Sequence, residues 1–181
     1  MAVGWTNVFM HLITVAGPVI GEGFATGFNG GIELMDFSLG FEAEKSRNEA
    51  VAQHAKAIIG AADSVSFKME PLTFKKRFDA SSPLIMYAID NDVRVVTATI
   101  SVIGMMQTGK PIHEPGFILV LTDGYFLEIS TKLEEEGRGA AVIDTVKMSF
   151  NSIVMTYMRD TITGKDQTMR IPTLPFVYKK L

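Results

Sequence analysis

Cysteine is absent from the 181 residues. That excludes disulfides and thiolate metal ligands, and it fits a reducing compartment. No Lys or Arg occurs before Lys45, so the apolar run at residues 8–21 lacks the basic start of a secretory leader and reads as a first strand. Nowhere does an apolar run reach the ~18 residues that a membrane helix needs. An excess of one charge is missing too: 17 basic residues face 20 acidic ones, a net charge of −3, which leaves no electrostatic footprint for nucleic acid. What is present, 47% hydrophobic and 20% charged residues, is ordinary for one globular domain spanning residues 1–181.

Signatures of chemistry are also lacking. No G-x-S-x-G, H-E-x-x-H or Walker sequence occurs. His11, His54 and His113, placed on an expected strand, helix and loop, have no carboxylate or second histidine at ligand spacing, so neither a metal nor a cofactor is expected. Gly21, Gly23 and Gly27 precede a strand where a phosphate-cradling loop would need a helix. The segment RDTITGKD at residues 159–166 lacks the ligand spacing of a calcium loop and reads as a polar turn. The run Glu134, Glu135, Glu136 reads as a solvated turn.

The most fully written stretch is residues 64–90. Val65, Phe67 and Met69 alternate with Ser66, Lys68 and Glu70, the period-two pattern of a strand with one buried face. At Pro71 the apolar phase slips so that Leu72 and Phe74 take over, by a bulge or an exposed edge. Asp79, Ser81 and Ser82 are good N-cap residues, Pro83 suits the first helical position, and residues 84–89 are almost wholly apolar. A helix over about 82–90 follows, apolar enough to need cover on more than one side, from its own barrel or a neighbouring subunit.

Around that stretch the pattern is mostly strand. Residues 7–15 form the first, and five glycines between Gly17 and Gly30 make a loop. In residues 31–42, Met35, Phe37, Leu39 and Phe41 fall on an expected core face, with Asp36, Ser38 and Gly40 opposite. Between residues 46 and 59 the period becomes helical: Ser46 and Glu49 make a capping box, a thin Val51, Ala55, Ile58, Ile59 stripe follows, and Gly60 stops it. This helical insertion either lies on the barrel or orders on a partner. Later strands cover residues 93–103, 117–130 and 141–158. In the last, Val142, Val146, Met148 and Phe150 share a face, with Ile143 out of phase. The tail, residues 169–181, carries two prolines and a basic end, as expected of an extended arm that clasps a neighbour.

The phrases LTFKKRFDASSPLIMYAI, TATISVIG, FILVLTDGYFLEIS, VKMSFNSIVMTY and ITGK, in their order and spacing, resemble the haemolysin-coregulated protein (Hcp) family, the inner-tube subunits of type VI secretion systems. The resemblance runs over roughly residues 32–165, with 43–63 excepted. It implies a mainly β fold, two antiparallel sheets forming a compact barrel with one flanking helix. It further implies homo-hexameric rings that stack into a hollow tube, driven out of a bacterium by a contractile sheath, tipped by a spike and carrying effector proteins. Such a subunit is not an enzyme. It assembles in the bacterial cytoplasm and is secreted without a cleavable signal peptide.

On that reading Asp36 and Ser38 are the candidates for the pore wall. Glu44, Lys45, Arg47 and Glu49 are the candidates for contacts between stacked rings, because family members often carry a Gly- or Ser-rich excursion where this chain has its helical insertion. Two other readings stand beside it: the tube protein of a related phage-like contractile injection system, and a monomeric ligand-binding β-barrel.

Overall fold

The computed structural model describes residues 4–24, 27–43, 67–105, 111–136, 139–159 and 167–170. The helical insertion at 46–59, with Glu44, Lys45, Arg47 and Glu49, lies outside the described residues, as do most of RDTITGKD and the tail beyond Arg170.

The described elements, in chain order, are β1 (Gly4–Thr14), β2 (Gly17–Val19), β3 (Ile32–Ser38), β4 (Phe41–Ala43), β5 (Phe67–Met69), β6 (Leu72–Arg77), α1 (Ser81–Asp90), β7 (Arg94–Met105), β8 (Pro111–Glu136), β9 (Gly139–Met148), β10 (Ser152–Arg159) and β11 (Gln167–Arg170). The main sheet runs β11-β10-β8-β7-β1-β3-β6-β9, and a further β8–β9 pairing closes β8, β7, β1, β3, β6 and β9 into a six-stranded antiparallel barrel. The fold is therefore mainly β with a barrel and one described helix, as the sequence leads one to expect. Eight strands give an interior just wide enough for side chains. Six give less, and here Met10, Leu12, Ile32, Leu72, Phe74, Ile100, Leu119, Leu121, Val146 and Met148 fill it.

One strand does two jobs. The first part of β8 pairs with β7 and β10, and its second part pairs with β9. The turning point is Asp123-Gly124. Asp123 is held at φ 56°, its carboxylate accepting from the Asn151 amide at 2.6 Å, and a Cβ on Gly124 would collide with the Ser149 carbonyl oxygen. Glycine is thus the residue that lets the bent strand lie against the β9–β10 connection.

Several local expectations are corrected. The glycine segment after β1 is not all loop, because β2 pairs back onto β1 from Leu12↔Val19 to Thr14↔Gly17. Residues 31–42 are two strands, and the pairing of β3 with β6 shifts between Leu34 and Asp36. That bulge advances the phase by one, so the buried pair is Ile32 and Leu34, Met35 points out at 45% exposure, and Phe37 and Leu39 rejoin the core. The expected strand over 141–158 breaks at residues 149–151 into β9 and β10. Within β9, which pairs with both β6 and β8, Val142 is exposed and the buried face reads Asp144, Val146, Met148, while Ile143 on the opposite face is buried as well. The acidic run is strand rather than turn: Glu134, Glu135 and Glu136 pair with Ala141, Ala140 and Gly139. His113 likewise lies within β8 and not in a loop.

Helix α1 begins at Ser81, which makes Pro83 its third residue. Its own barrel covers one side only: Ile85 and Ala88 are buried, whereas Leu84, Met86 and Tyr87 are exposed.

Replacing Gly124 by Ala should force β8 away from Ser149 and cost about 1–3 kcal/mol, in the range of overpacking substitutions. Urea unfolding of Gly124→Ala checks this; an unchanged midpoint would show that the bend tolerates a side chain.

Candidate assembly surfaces and the cluster that holds them

Along β6, Leu72, Phe74 and Lys76 point inward, so the pleat that buries two apolar residues also buries an ammonium. Lys76 and Asp144 are direct register partners between β6 and β9, and both side chains are 0% exposed, 3.2 Å apart. Lys76 Nζ also donates to Asp79 Oδ1 at 2.7 Å, to Ser82 Oγ at 2.7 Å and to the Arg77 carbonyl at 2.9 Å. Ser82 Oγ donates to Asp144 Oδ2 at 2.6 Å, and Thr131 Oγ1 donates to Asp144 Oδ1 at 2.7 Å. A buried charge is tolerated when it is paired and every lone pair is used. Among the described residues no buried side-chain polar atom lacks a partner.

The same cluster caps the helix. Asp79 Oδ1 accepts from the Ser81 backbone N–H at 2.9 Å, Ser82 N–H donates to the Asp79 carbonyl at 3.0 Å, and a carboxylate at a helix N-terminus is favourable. Asp79 Oδ2 also receives the Glu22 N–H at 3.4 Å, which ties the glycine loop to the helix start. Burial alone would raise the Asp79 pKa. The bonds and charge of Lys76, with the hydroxyl and N–H of Ser81, outweigh that effect and hold the carboxyl below its ordinary value.

Outside the barrel the strands form a polar face. Asp36 pairs with Lys75, which pairs with Thr145, which pairs with Ser130; Ser38 pairs with Thr73, then Lys147, then Glu128. Directly opposed residues share a face, so two polar rows cross β3, β6, β9 and β8. Lys147 Nζ meets Glu128 Oε2 at 2.7 Å and Lys75 Nζ meets Glu134 Oε1 at 3.4 Å. Both pairs are close to half exposed and contribute little to stability. Asp36 and Ser38 are exposed on this face. Their strand alternation pointed to them; the partners Lys75, Thr145, Lys147 and Glu128 needed the register.

His11 stands 6.0 Å from the Phe28 ring, and among the described residues no group of three His, Asp or Glu could hold a metal ion. Nor, among them, is any helix long and apolar enough to cross a membrane.

Two predictions follow from the cluster. Lys76→Met leaves two carboxylates without their cation, and should cost about 3–5 kcal/mol by urea unfolding; a loss under about 1 kcal/mol would show the cluster to be marginal. Because the folded pKa of Asp79 is lowered, its carboxylate contributes stability above the unfolded value near ~4 and loses it as pH falls through the folded value. Asp79→Asn should therefore unfold more easily than the parent at pH 7, by about 1–2 kcal/mol, with the gap closing toward pH 3. A gap that widens on acidification would contradict the assignment.

Comparison with known proteins agrees with this architecture. Residues 9–157 match the family model described as type VI secretion system effector, Hcp. Among solved structures, the chain is similar to Hcp1 from E. coli EAEC 042, with 14% identity and a TM-score of 0.66 over 91% of this chain and 97% of that one. It is similar to Hcp1 from Salmonella typhimurium, with 15% identity and a TM-score of 0.62 over 90% and 93%. It also matches the secreted protein Hcp3 from Pseudomonas aeruginosa, with 15% identity and a TM-score of 0.59 over 93% and 98%. No curated protein sequence matches. With four-fifths of its length covered by the family model, the chain belongs to the Hcp family of type VI secretion proteins.

Proposed function

We propose that this protein is a tube subunit of a type VI secretion system. Six copies form a ring, and rings stack into a hollow tube that a contractile sheath propels, with a spike at its tip and effector proteins inside. The observation that carries this is the family match over residues 9–157. It is supported by a barrel whose interior is filled with side chains, which counts against the ligand-binding barrel.

The polar face of β3, β6, β9 and β8 suits a channel wall. Asp36, Lys75, Lys147, Glu128 and Glu134 nearly cancel in charge, so cargo meets hydroxyls and small alternating fields, and binds weakly enough to leave. Asp36 and Ser38 are the proposed pore-facing residues. Glu44, Lys45, Arg47 and Glu49 are proposed to act between rings. The exposed Leu84, Met86 and Tyr87 of α1 offer a ring neighbour an apolar surface that the single barrel leaves open. A head-to-tail contact of unlike surfaces is the kind that closes into a ring. No bond is made or broken by the subunit, so no catalytic group or cofactor is assigned. The tube is assembled in the bacterial cytoplasm and leaves the cell when the sheath contracts. A tube protein of a related phage-like injection machine would share every one of these requirements.

Native mass measurement with negative-stain imaging tests the proposal: six chains of 19.8 kDa each and ring-shaped particles are expected, and a monomer at every concentration contradicts it. In the same preparation Ser38→Trp should leave rings intact while lowering retention of co-expressed cargo. Unchanged retention would remove Ser38 from the pore wall.

A further inference from the structure

A second surface is written at the mouth of the barrel. Leu133 of β8 pairs directly with Val142 of β9, and the Phe78 N–H donates to the Val142 carbonyl at 2.8 Å. Register and backbone bond thus line up Leu133, Val142 and Phe78, the last just past the end of β6, in one row. They belong to the layer just beyond Lys76, Asp144 and Thr131, where the barrel opens. Phe78 is 48%, Val142 43% and Leu133 72% exposed. The pleat sorts the charges around them: Glu135, two residues beyond Leu133, shares its face, whereas Lys75, Lys132 and Glu134 alternate onto the other.

We propose that residues 171–181 of a neighbouring copy dock on this row. That segment reads IPTLPFVYKKL. Pro172 and Pro175 exclude a regular helix through it. An extended course sets Leu174, Phe176 and Tyr178 on one side, followed by Lys179 and Lys180. The row, three strands wide at ~4.8 Å each, spans about 10 Å, and three alternate residues of an extended segment span about 13 Å. Apolar side chains thus meet apolar side chains, and the two lysines end near Glu135. Complementary charge beside an apolar strip gives direction as well as affinity.

The donor is a neighbour for a geometric reason. Arg170 of β11 pairs with Thr156 of β10, and Thr156 with Ile118 of β8. From Ile118 to Leu133 β8 runs six residues (124 minus 118) to the bend at Gly124 and nine (133 minus 124) beyond it, so even a right-angle bend leaves about 36 Å between them. Phe176 is six residues past Arg170, at most ~22 Å of extended chain, which favours the tail of another copy. The family match ends at residue 157, so this contact belongs to the chain's own C-terminal part. The choice of a second copy as partner rests on the self-assembly reading above.

The lack of native cysteine makes a clean test. The full-length variants Leu133→Cys and Phe176→Cys are mixed in equal amounts under mild oxidation and resolved on non-reducing gels. A disulfide-linked two-chain species is expected at least about five-fold above that of a control pair, Glu128→Cys with Phe176→Cys. Val142→Cys in place of Leu133→Cys should do the same, which guards against a folding defect in one variant. Yields at the control level overturn the proposal. So does a Leu133→Cys/Phe176→Cys double variant that links only within one chain. Rings seen without the cross-link would sink the docking and leave the tube reading standing, while the cross-link in a protein that makes no rings would do the reverse.

Discussion

One ammonium group, with no contact with water, ties four parts of this molecule together. Lys76 projects from β6 into a space closed by Asp144 of β9, Asp79 of the connection and Ser82 of the helix, and Thr131 of β8 and the Glu22 amide complete the outer bonds. Taking such a charge from water costs several kcal/mol unless the geometry is good. The same cost that makes the cluster dangerous to break also makes it specific: a β6–β9 pairing slipped by one residue would leave the ammonium facing outward and the carboxylate alone. The cluster pins the register of the barrel at the point where the helix departs.

That register determines the surfaces proposed for assembly. With β6 fixed against β9, and β9 against β8, the polar rows through Asp36 and Ser38 line up across four strands. One layer further toward the mouth, the same pairing sets Leu133 beside Val142. The helix start is held by Asp79, so the exposed side of α1 is presented at a set angle to the barrel wall. On the proposed function, a subunit repeated around a ring gains from such rigidity, because an error in one contact is repeated in every other.

Much of this was legible in the residues. The Ser-Ser-Pro junction with an apolar run behind it placed the helix to within a residue, and the resemblance carried by the phrases around it led to the family. The cluster itself was half-legible: Lys76 follows Leu72 and Phe74 at a spacing of two, and Asp144 precedes Val146 and Met148 in the same way. Each is a charge on an apolar face, and only the cross-strand pairing shows that they meet. What stayed hidden has a common cause. The bulge near Met35, the bend at Gly124 and the break after Met148 come without a proline to announce them, and an alternation read straight through the first puts Met35 on the wrong side; Val142 keeps its phase but lies one layer beyond the buried Asp144, and so is exposed. The helix is apolar enough to need cover on more than one side, and its own barrel covers only the side of Ile85 and Ala88.

Hydrogen exchange followed by mass spectrometry tests the central claim directly, that barrel closure and helix docking are one event held by the Lys76 cluster. The account predicts that amides of α1, of β6 and of residues 143–148 exchange with the same opening free energy, that of global unfolding. Exchange of the helix ahead of both strands, with the barrel still protected, would show that the helix is a separate attachment and that the buried charge does not unite them.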